Sequence, residues 1–231
     1  MKQIETSVIV PLFNEETRSP PFLNDLLKIA KKEWEIILVD DGSKDKTLDV
    51  IKKYNFPNKK IITYSINKGK GYAVKKGVEA ATGNYILFID ADGSIHPSQI
   101  ENMILQLKKH DTVVGNRNHD ESHKETTFFR SSIGKIFNLY ARVLFNIPVN
   151  DNLCGFKGFK KEIAKSLFNN MLSERWVFDV ELFYQIKKNK YSLYFLPIEW
   201  EHRDESKINS FEILKILYEL LELRMKINKE R

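Results

Sequence analysis

Asp90, Ala91 and Asp92 follow the apolar run YILFI at 85–89. Two carboxylates that flank one small residue at the end of a strand can converge on one hard divalent cation. Phosphate oxygens then complete its shell. A cation held there offsets the negative charge that grows on a departing diphosphate. The same residues can also form a solvated acidic turn that caps a helix. A second acidic group, Asp40-Asp41-Gly42-Ser43, follows EIILV at 35–39. Its carboxylates can accept hydrogen bonds from a base N–H or ribose hydroxyls, while Ser43 or Asp45 can cap the next helix. Asn67 to Gly71 reads NKGKG, with glycines and two lysines ahead of a helical pattern. That is a surface for anions, although the G-x-x-x-x-G-K-[ST] loop is missing, and alone it is an ordinary turn.

These groups need strands to carry them. Runs rich in β-branched residues predict strands at Ser7–Leu12, Glu35–Val39, Lys60–Tyr64, Asn84–Ile89 and Thr112–Val114. Helical patterns lie between them, near Pro21–Lys32, Lys46–Tyr54, Gly71–Ala81 and Pro97–Lys109. Alternating strands and helices imply right-handed βαβ units and a mostly parallel sheet. Ligands of such sheets sit beyond the carboxyl ends of the strands. All five strand ends carry polar, acidic or glycine-rich residues, including Gly115-Asn116-Arg117, which points to a constructed site.

The second half reads differently. Helical periodicity runs from Thr126 to Ile147, with further helices near Lys160–Asn169 and Val177–Lys188. A β-rich segment, Tyr191–Trp200, leads to the charged turn EHRDESK, and an amphipathic helix starts at about Ser210. No repeat and no Gly-, Pro- or Ser-rich linker divides the chain. The expectation is one α/β domain over 1–231, with a ligand-binding half to about 118 and a distinct half from about 119.

The formal charge is +6, from 37 basic and 31 acidic residues, which suits an anionic partner without choosing among nucleic acid, phosphorylated small molecule and membrane. The basic residues are scattered among acidic segments and no nucleic-acid motif is present, so nucleic acid is not expected. Cys154 is the single cysteine, which excludes an intramolecular disulfide and suits a reducing compartment. With no histidine partner nearby, it reads as a small buried hydrophobe. The five histidines show no zinc spacing. MKQIET runs directly into SVIVPLF without an apolar signal core. No stretch reaches the roughly 18 apolar residues of a spanning helix.

Taken together, SVIVPLFNEE, ILVDDGSKDKT, NKGKGYAVKKGVEAATGNYILFIDADG and VVGNRN resemble the family 2 glycosyltransferases of GT-A fold. The likeness continues through RSSIGKIFNLYARVLFNIPVNDNLCGFKGF, ERWVFDVELF and IEWEHRDESKIN. These segments are similar to the dolichyl-phosphate (polyprenyl-phosphate) sugar synthase branch, and most of all to its β-glucosyltransferases. The resemblance implies a GT-A, Rossmann-like α/β fold with C-terminal amphipathic helices. It implies that Pro11, Phe13, Glu15, Val39 and Asp41 hold the nucleoside, and that Asp90, Ala91 and Asp92 hold metal, ribose and diphosphate. Asp90 and Asp92 would ligate Mg²⁺ or Mn²⁺. Arg117 and Arg130 would face the phosphates at the reaction centre beside Asp92, and Arg203 and Lys207 would close over the donor. Mannosyl members carry a glutamine two residues after the second aspartate, as a further metal ligand. Ser94 stands there in this chain, so the metal shell is expected to rely on the aspartates, phosphates and water.

The resemblance favours UDP-glucose as donor and a polyprenyl phosphate as acceptor, with inversion at the anomeric carbon. It places the protein peripherally at the cytoplasmic face of a membrane. A phosphate acceptor hardly needs a general base, and Asp179 and Glu181 are read as loop anchors. The helix around Phe128, Phe129, Arg130, Lys135 and Arg142 can lie in a membrane interface, as can the C-terminal helix with Phe211, Leu214, Leu217, Leu221 and Met225. Core packing competes with this for both, and the second can equally pair a homodimer. A family 2 transferase with a hydroxyl acceptor remains the alternative. A nucleotidyltransferase would need a glycine-rich triphosphate loop, which PLFNEETRSP does not resemble.

Overall fold

Strand β2 (Trp34–Asp40) is buried at every residue, as a strand covered on both faces must be. It pairs in parallel with β1 (Thr6–Leu12) and β3 (Lys59–Thr63), and β1 also pairs in parallel with β4 (Tyr85–Ile89). The computed structural model describes residues 3–117, 140–147, 154–175, 177–201 and 210–229. Among them, seven strands form one sheet in the order β3-β2-β1-β4-β6-β5-β7. β5 is Thr112–Asn116, β6 is Phe156–Lys160 and β7 is Leu193–Pro197. β6 runs antiparallel to β4 and β5, and β7 is parallel to β5.

Side chains alternate across the sheet and divide the core in two. Ile9, Val39, Ile86, Phe88 and Phe159 pack against α3 (Lys70–Ala80), α5 (Lys161–Asn169) and α6 (Phe178–Lys188). Val8, Val10, Leu38, Leu87 and Phe156 pack against α1 (Ser19–Ile29), α2 (Thr47–Lys52) and α4 (Ile100–Leu107). The result is a mostly parallel sheet with helices on both faces, in keeping with the expected Rossmann-like α/β fold. All four helices expected in the first half are present, with ends moved by one to three residues. The proposed N-terminus of α4 is instead a 3-10 turn, Pro97–Gln99.

β6 was not anticipated from sequence. FKGFK has two lysines, a glycine and no β-branched residue, so it lacks a strand's signature. Gly158 lies under α4, where an added Cβ would meet Leu107 Cδ1 and Met103 Sδ at 2.9 Å and those side-chain ends would have to shift.

The long helix expected over Thr126–Ile147 falls mostly outside the described residues, and 140–145 are helical. The C-terminal helix α7 spans Ser210–Lys229. Its Leu220, Leu223 and Ile227 are buried in the core beside α3 and α6. No described helix is long and apolar enough to cross a membrane.

Candidate active site

The chain steps outward from β1 to β2 to β3, then returns to place β4 on the other side of β1. The order of strands therefore reverses between β1 and β4, and ligands of such sheets sit outside the carboxyl ends of the strands at that switch point. Asp90, Ala91 and Asp92 come directly off β4 at that point. Gly93 follows with φ +73°, a left-handed turn that suits glycine. Asp92 Oδ1 accepts a hydrogen bond from Ser94 N at 2.9 Å, the usual closure of an Asx turn.

Asp90 is pinned from two sides. Its amide donates to Gly155 O at 3.1 Å, and its carboxylate lies over the Gly155 Cα. A Cβ at Gly155 would come within 1.8 Å of Asp90 Oδ2, so the glycine of the CGF segment is a seat for the aspartate. Antiparallel pairing of β6 with β4 brings Gly155 there, because Phe156 faces Ile89. The Lys70 ammonium contacts both carboxylate oxygens, at 2.7 and 2.9 Å. Burial pushes the Asp90 carboxyl above the ordinary carboxylate range, with Asp92 and Asp179 adding to the push and Lys70 opposing it. Burial disfavours charge on Lys70 as well, but Asp90, Asp179 and Asp92 outweigh it and hold the ammonium above the usual lysine value.

Lys70 owes its position to Asp41. Asp41 Oδ1 accepts from Lys68 N at 2.9 Å, and Oδ2 accepts from Gly69 N at 2.9 Å and Asn67 Nδ2 at 2.7 Å. Three bonds to one carboxylate fix the loop that opens α3. From the other side, Glu174 O accepts from Tyr72 N at 2.8 Å. A Cβ on Gly71 would be 2.8 Å from that oxygen, so NKGKG is spaced for this double clamp. NKGKG reads locally as a turn for anions, and nothing local links Lys70 to Asp90, twenty positions further on.

The loops after β1 and β2 are laced together. Asn14 Oδ1 accepts from Lys44 N at 2.8 Å, Glu16 Oε2 from Lys46 N at 2.7 Å, and Ser43 Oγ from Asn14 N at 3.0 Å. Asp45 accepts from the Thr47 amide at 3.0 Å in an Asx turn just ahead of α2, but the N-cap position is Lys46 and has no side-chain cap, so neither Ser43 nor Asp45 caps the helix as expected. Pro11 and Val39 are neighbours in the β1–β2 register, with Val39 fully buried in the core. Phe13 and Glu15 are half-buried, and the Glu15 carboxylate accepts from Arg18 Nε at 2.8 Å. Arg117, just past β5, stacks its guanidinium on Trp200 at 5.6 Å from the ring centre. Glu201 N in turn donates to Ser94 O at 3.0 Å, which ties the Trp200 segment to the Asp92 turn. Arg130, Arg203 and Lys207 lie outside the described residues.

Deeper in, Lys157 is fully buried and donates to Asp179 Oδ1 and Cys154 O, both at 2.6 Å. Phe88 sits between the two ammoniums, with Lys157 at 5.6 Å and Lys70 at 6.0 Å from its ring centre. Glu181 accepts from Leu172 N and Ser173 N, each at 2.8 Å, and from Ser173 Oγ. Both acids of VFDVEL are thus engaged in holding neighbouring segments, as expected of loop anchors. Cys154 is completely buried. Among the described residues no group of three or more His, Cys, Asp or Glu draws together in a way that could hold a metal. Asp90 and Asp92 still suit a magnesium-like ion, which is ordinarily held by one or two carboxylates together with substrate phosphates.

A Rossmann-like sheet with an acidic pair at its switch point defines a nucleotide-handling α/β protein. A family model described as glycosyl transferase family 2 matches residues 7–168, and the chain belongs to that family. It is 33% identical to a dolichyl-phosphate beta-glucosyltransferase of Dictyostelium discoideum, over 90% of this chain and 70% of that one. The enzyme of that name from Homo sapiens is 32% identical over 90% of this chain and 70% of its own length. Among solved structures, glucosyl-3-phosphoglycerate synthase from Mycobacterium tuberculosis with Mn²⁺, UDP and phosphoglyceric acid superposes with a TM-score of 0.72 at 16% identity, covering 95% of this chain and 78% of that one. S. aureus TarS in complex with UDP-GlcNAc gives 0.58 at 20% identity, covering 94% of this chain and 66% of that one. At these identities the structures establish the GT-A fold.

Proposed function

We propose that the protein transfers glucose from UDP-glucose to a dolichyl or other polyprenyl phosphate, with Mg²⁺ or Mn²⁺ as cofactor and inversion at the anomeric carbon. The observation that carries this reading is the acidic turn Asp90–Asp92 at the β1/β4 switch point, seated on Gly155 and paired with Lys70. The relatives named dolichyl-phosphate beta-glucosyltransferase supply the substrate class. In this assignment Pro11, Phe13, Glu15, Val39 and Asp41 serve the nucleoside end. Asp90, Ala91 and Asp92 serve the ribose, diphosphate and metal. Bound there, the cation stabilises negative charge on the leaving diphosphate.

The acceptor half follows from charge. A phosphate monoester has its second pKa near ~6, so its oxygen is already a nucleophile at neutral pH. The site must then gather anions, which favours arginine over a further carboxylate. Arg117, held against Trp200 near the Asp92 turn, is assigned to this task together with Arg130, and Arg203 and Lys207 are assigned to closing over the donor. The engagement of Asp179 with Lys157, and of Glu181 with the 172–173 amides, supports a reaction without a carboxylate base.

Residues to about 118 are assigned to the donor and the remainder to acceptor and membrane. The α7 helix supports that division. Tyr218, Leu221 and Met225 are exposed on the face opposite its buried Leu220, Leu223 and Ile227. Lys215, Lys226 and Lys229 on the same helix are exposed too. Apolar side chains edged by lysines suit an anionic lipid surface at the cytoplasmic face.

Incubation with UDP-glucose, UDP-GlcNAc or GDP-mannose, a polyprenyl phosphate and Mg²⁺ or Mn²⁺ tests the proposal. Lipid-linked glucose formed from UDP-glucose, and lost on chelation with EDTA, is the expected result. Transfer to soluble glycans with no lipid product would replace it by the hydroxyl-acceptor reading.

A further inference from the structure

We propose that Lys70 is a built-in counter-ion that makes divalent-metal binding at Asp90 and Asp92 conditional on the nucleotide diphosphate. This inference rests on the donor-site reading above. Both oxygens of Asp90 are engaged by the Lys70 ammonium, at 2.7 and 2.9 Å, in the manner of a carboxylate chelating a cation. Any ion that binds Asp90 must share that carboxylate with a fixed positive charge or displace it.

Displacement is resisted on both sides of the pair. Lys70 opens α3 from a backbone clamped by Asp41 at Gly69 N and by Glu174 O at Tyr72 N. Asp90 is seated on Gly155 and bonded to its carbonyl. Only side-chain torsions remain to separate them.

Charge counting gives the consequence. Asp90, Asp92 and Lys70 together carry one net negative charge, and the neighbouring Lys157–Asp179 pair cancels itself. A bare divalent ion meets a weak field of this kind, because the ammonium repels it at contact distance. A nucleotide diphosphate restores the negative charge that Lys70 has cancelled. The metal therefore enters together with the diphosphate, and the coupling is reciprocal, each raising the affinity of the other by the same factor. An enzyme with this device does not hold a loosely hydrated metal at an acidic turn between turnovers.

The test is equilibrium binding of Mn²⁺, followed by loss of the free-ion electron paramagnetic resonance signal, with and without UDP. Wild-type protein, Lys70→Met, Lys70→Gln and Lys70→Arg are compared, each checked for folding by thermal melting. Without UDP, Lys70→Met and Lys70→Gln are expected to bind Mn²⁺ about tenfold more tightly than wild type, inside the usual range of coupling between sites. The enhancement of Mn²⁺ binding by UDP shrinks in both, and Lys70→Arg keeps wild-type behaviour. Unchanged or weaker Mn²⁺ binding without UDP in both neutral variants would overturn the counter-ion role while leaving the donor site intact. Failure of every protein to bind Mn²⁺ even with UDP would instead remove the donor-site reading, and this inference with it.

Discussion

The acidic turn after β4 and the buried acids of β2 and α6 use the same functional group in opposite ways. Glu35 Oε1 accepts from Ser7 Oγ at 2.5 Å, Thr82 N at 2.5 Å and Thr82 Oγ1 at 2.9 Å, while Oε2 meets Lys60 at 2.6 Å. Glu181 and Asp179 are likewise buried and supplied with donors from their own chain. Asp92, by contrast, accepts one hydrogen bond among the described residues, from the amide two positions on. A carboxylate whose lone pairs are filled from within stabilises the fold. One that keeps lone pairs open at a strand end is available to a ligand. Asp90 lies between these cases, because both its oxygens are engaged by one lysine whose charge a bound cation would have to meet.

This contrast can be broken most severely at Lys157–Asp179. Asp179→Ala leaves a buried ammonium without its carboxylate, and unfolding in urea should show a loss of about 3–5 kcal/mol. A double replacement, Lys157→Met with Asp179→Leu, is expected to recover most of it. If the single variant kept full stability and lost transfer, Asp179 would be a base and the hydroxyl-acceptor reading would return.

Glu181→Ala comes next. It strips the acceptor from two backbone amides and a serine hydroxyl, and should cost about 1–3 kcal/mol by the same measurement. The loop it anchors also provides Glu174 O to α3, so turnover should fall in parallel with order at residues 172–175.

Glu35 sharpens the contrast through pH. Burial would raise its carboxyl, but the Lys60 ion pair and the Ser7 and Thr82 hydrogen bonds outweigh burial and hold it below 4.5. A depressed folded value means the stabilisation is fully present above the unfolded value and is lost as pH falls through the folded one. Glu35→Gln should therefore be less stable than wild type by about 1 kcal/mol at neutral pH. The gap should narrow as pH falls below the ordinary glutamate range. Melting curves from pH 7 down to 3 measure this, and a gap that widened on acidification would contradict the assignment.

The smallest effect concerns the outer face of α7. Replacing Tyr218, Leu221 and Met225 by serine should leave the melting temperature nearly unchanged while reducing co-sedimentation with anionic vesicles severalfold, in line with apolar area withdrawn from the interface. Loss of a dimer in sedimentation velocity, with vesicle binding intact, would assign the face to a second copy of the chain.

Much of this molecule is legible from its residues, for identifiable reasons. β1, β2 and β4 carry continuous apolar runs, VIV, IILV and YILFI, and the acids after them stand where any parallel sheet places ligands. β6 was missed because a buried lysine and a packing glycine replace the usual pattern. Lys157 lies inside the core only because Asp179 and the Cys154 carbonyl await it there. Lys70 reads as one of many surface lysines until the fold sets it on Asp90. The role of Gly155 is equally a property of strand pairing, since the aspartate it seats lies 65 positions earlier. The strand-end acids were visible because they follow local pattern, whereas the groups that hold them in place are joined only by topology.

Asp92 and Asp179 differ as an open and a filled carboxylate, and one side-by-side measurement separates their roles. Asp92→Ala and Asp179→Asn are compared for metal-dependent glucosyl transfer per folded molecule and for melting temperature. Asp92→Ala should lose transfer by about a hundredfold or more with its melting temperature within about 2 °C of wild type. Asp179→Asn should melt several degrees lower and keep most of its transfer when folded. Near-normal transfer by Asp92→Ala, or abolished transfer by a stably folded Asp179→Asn, would contradict the account.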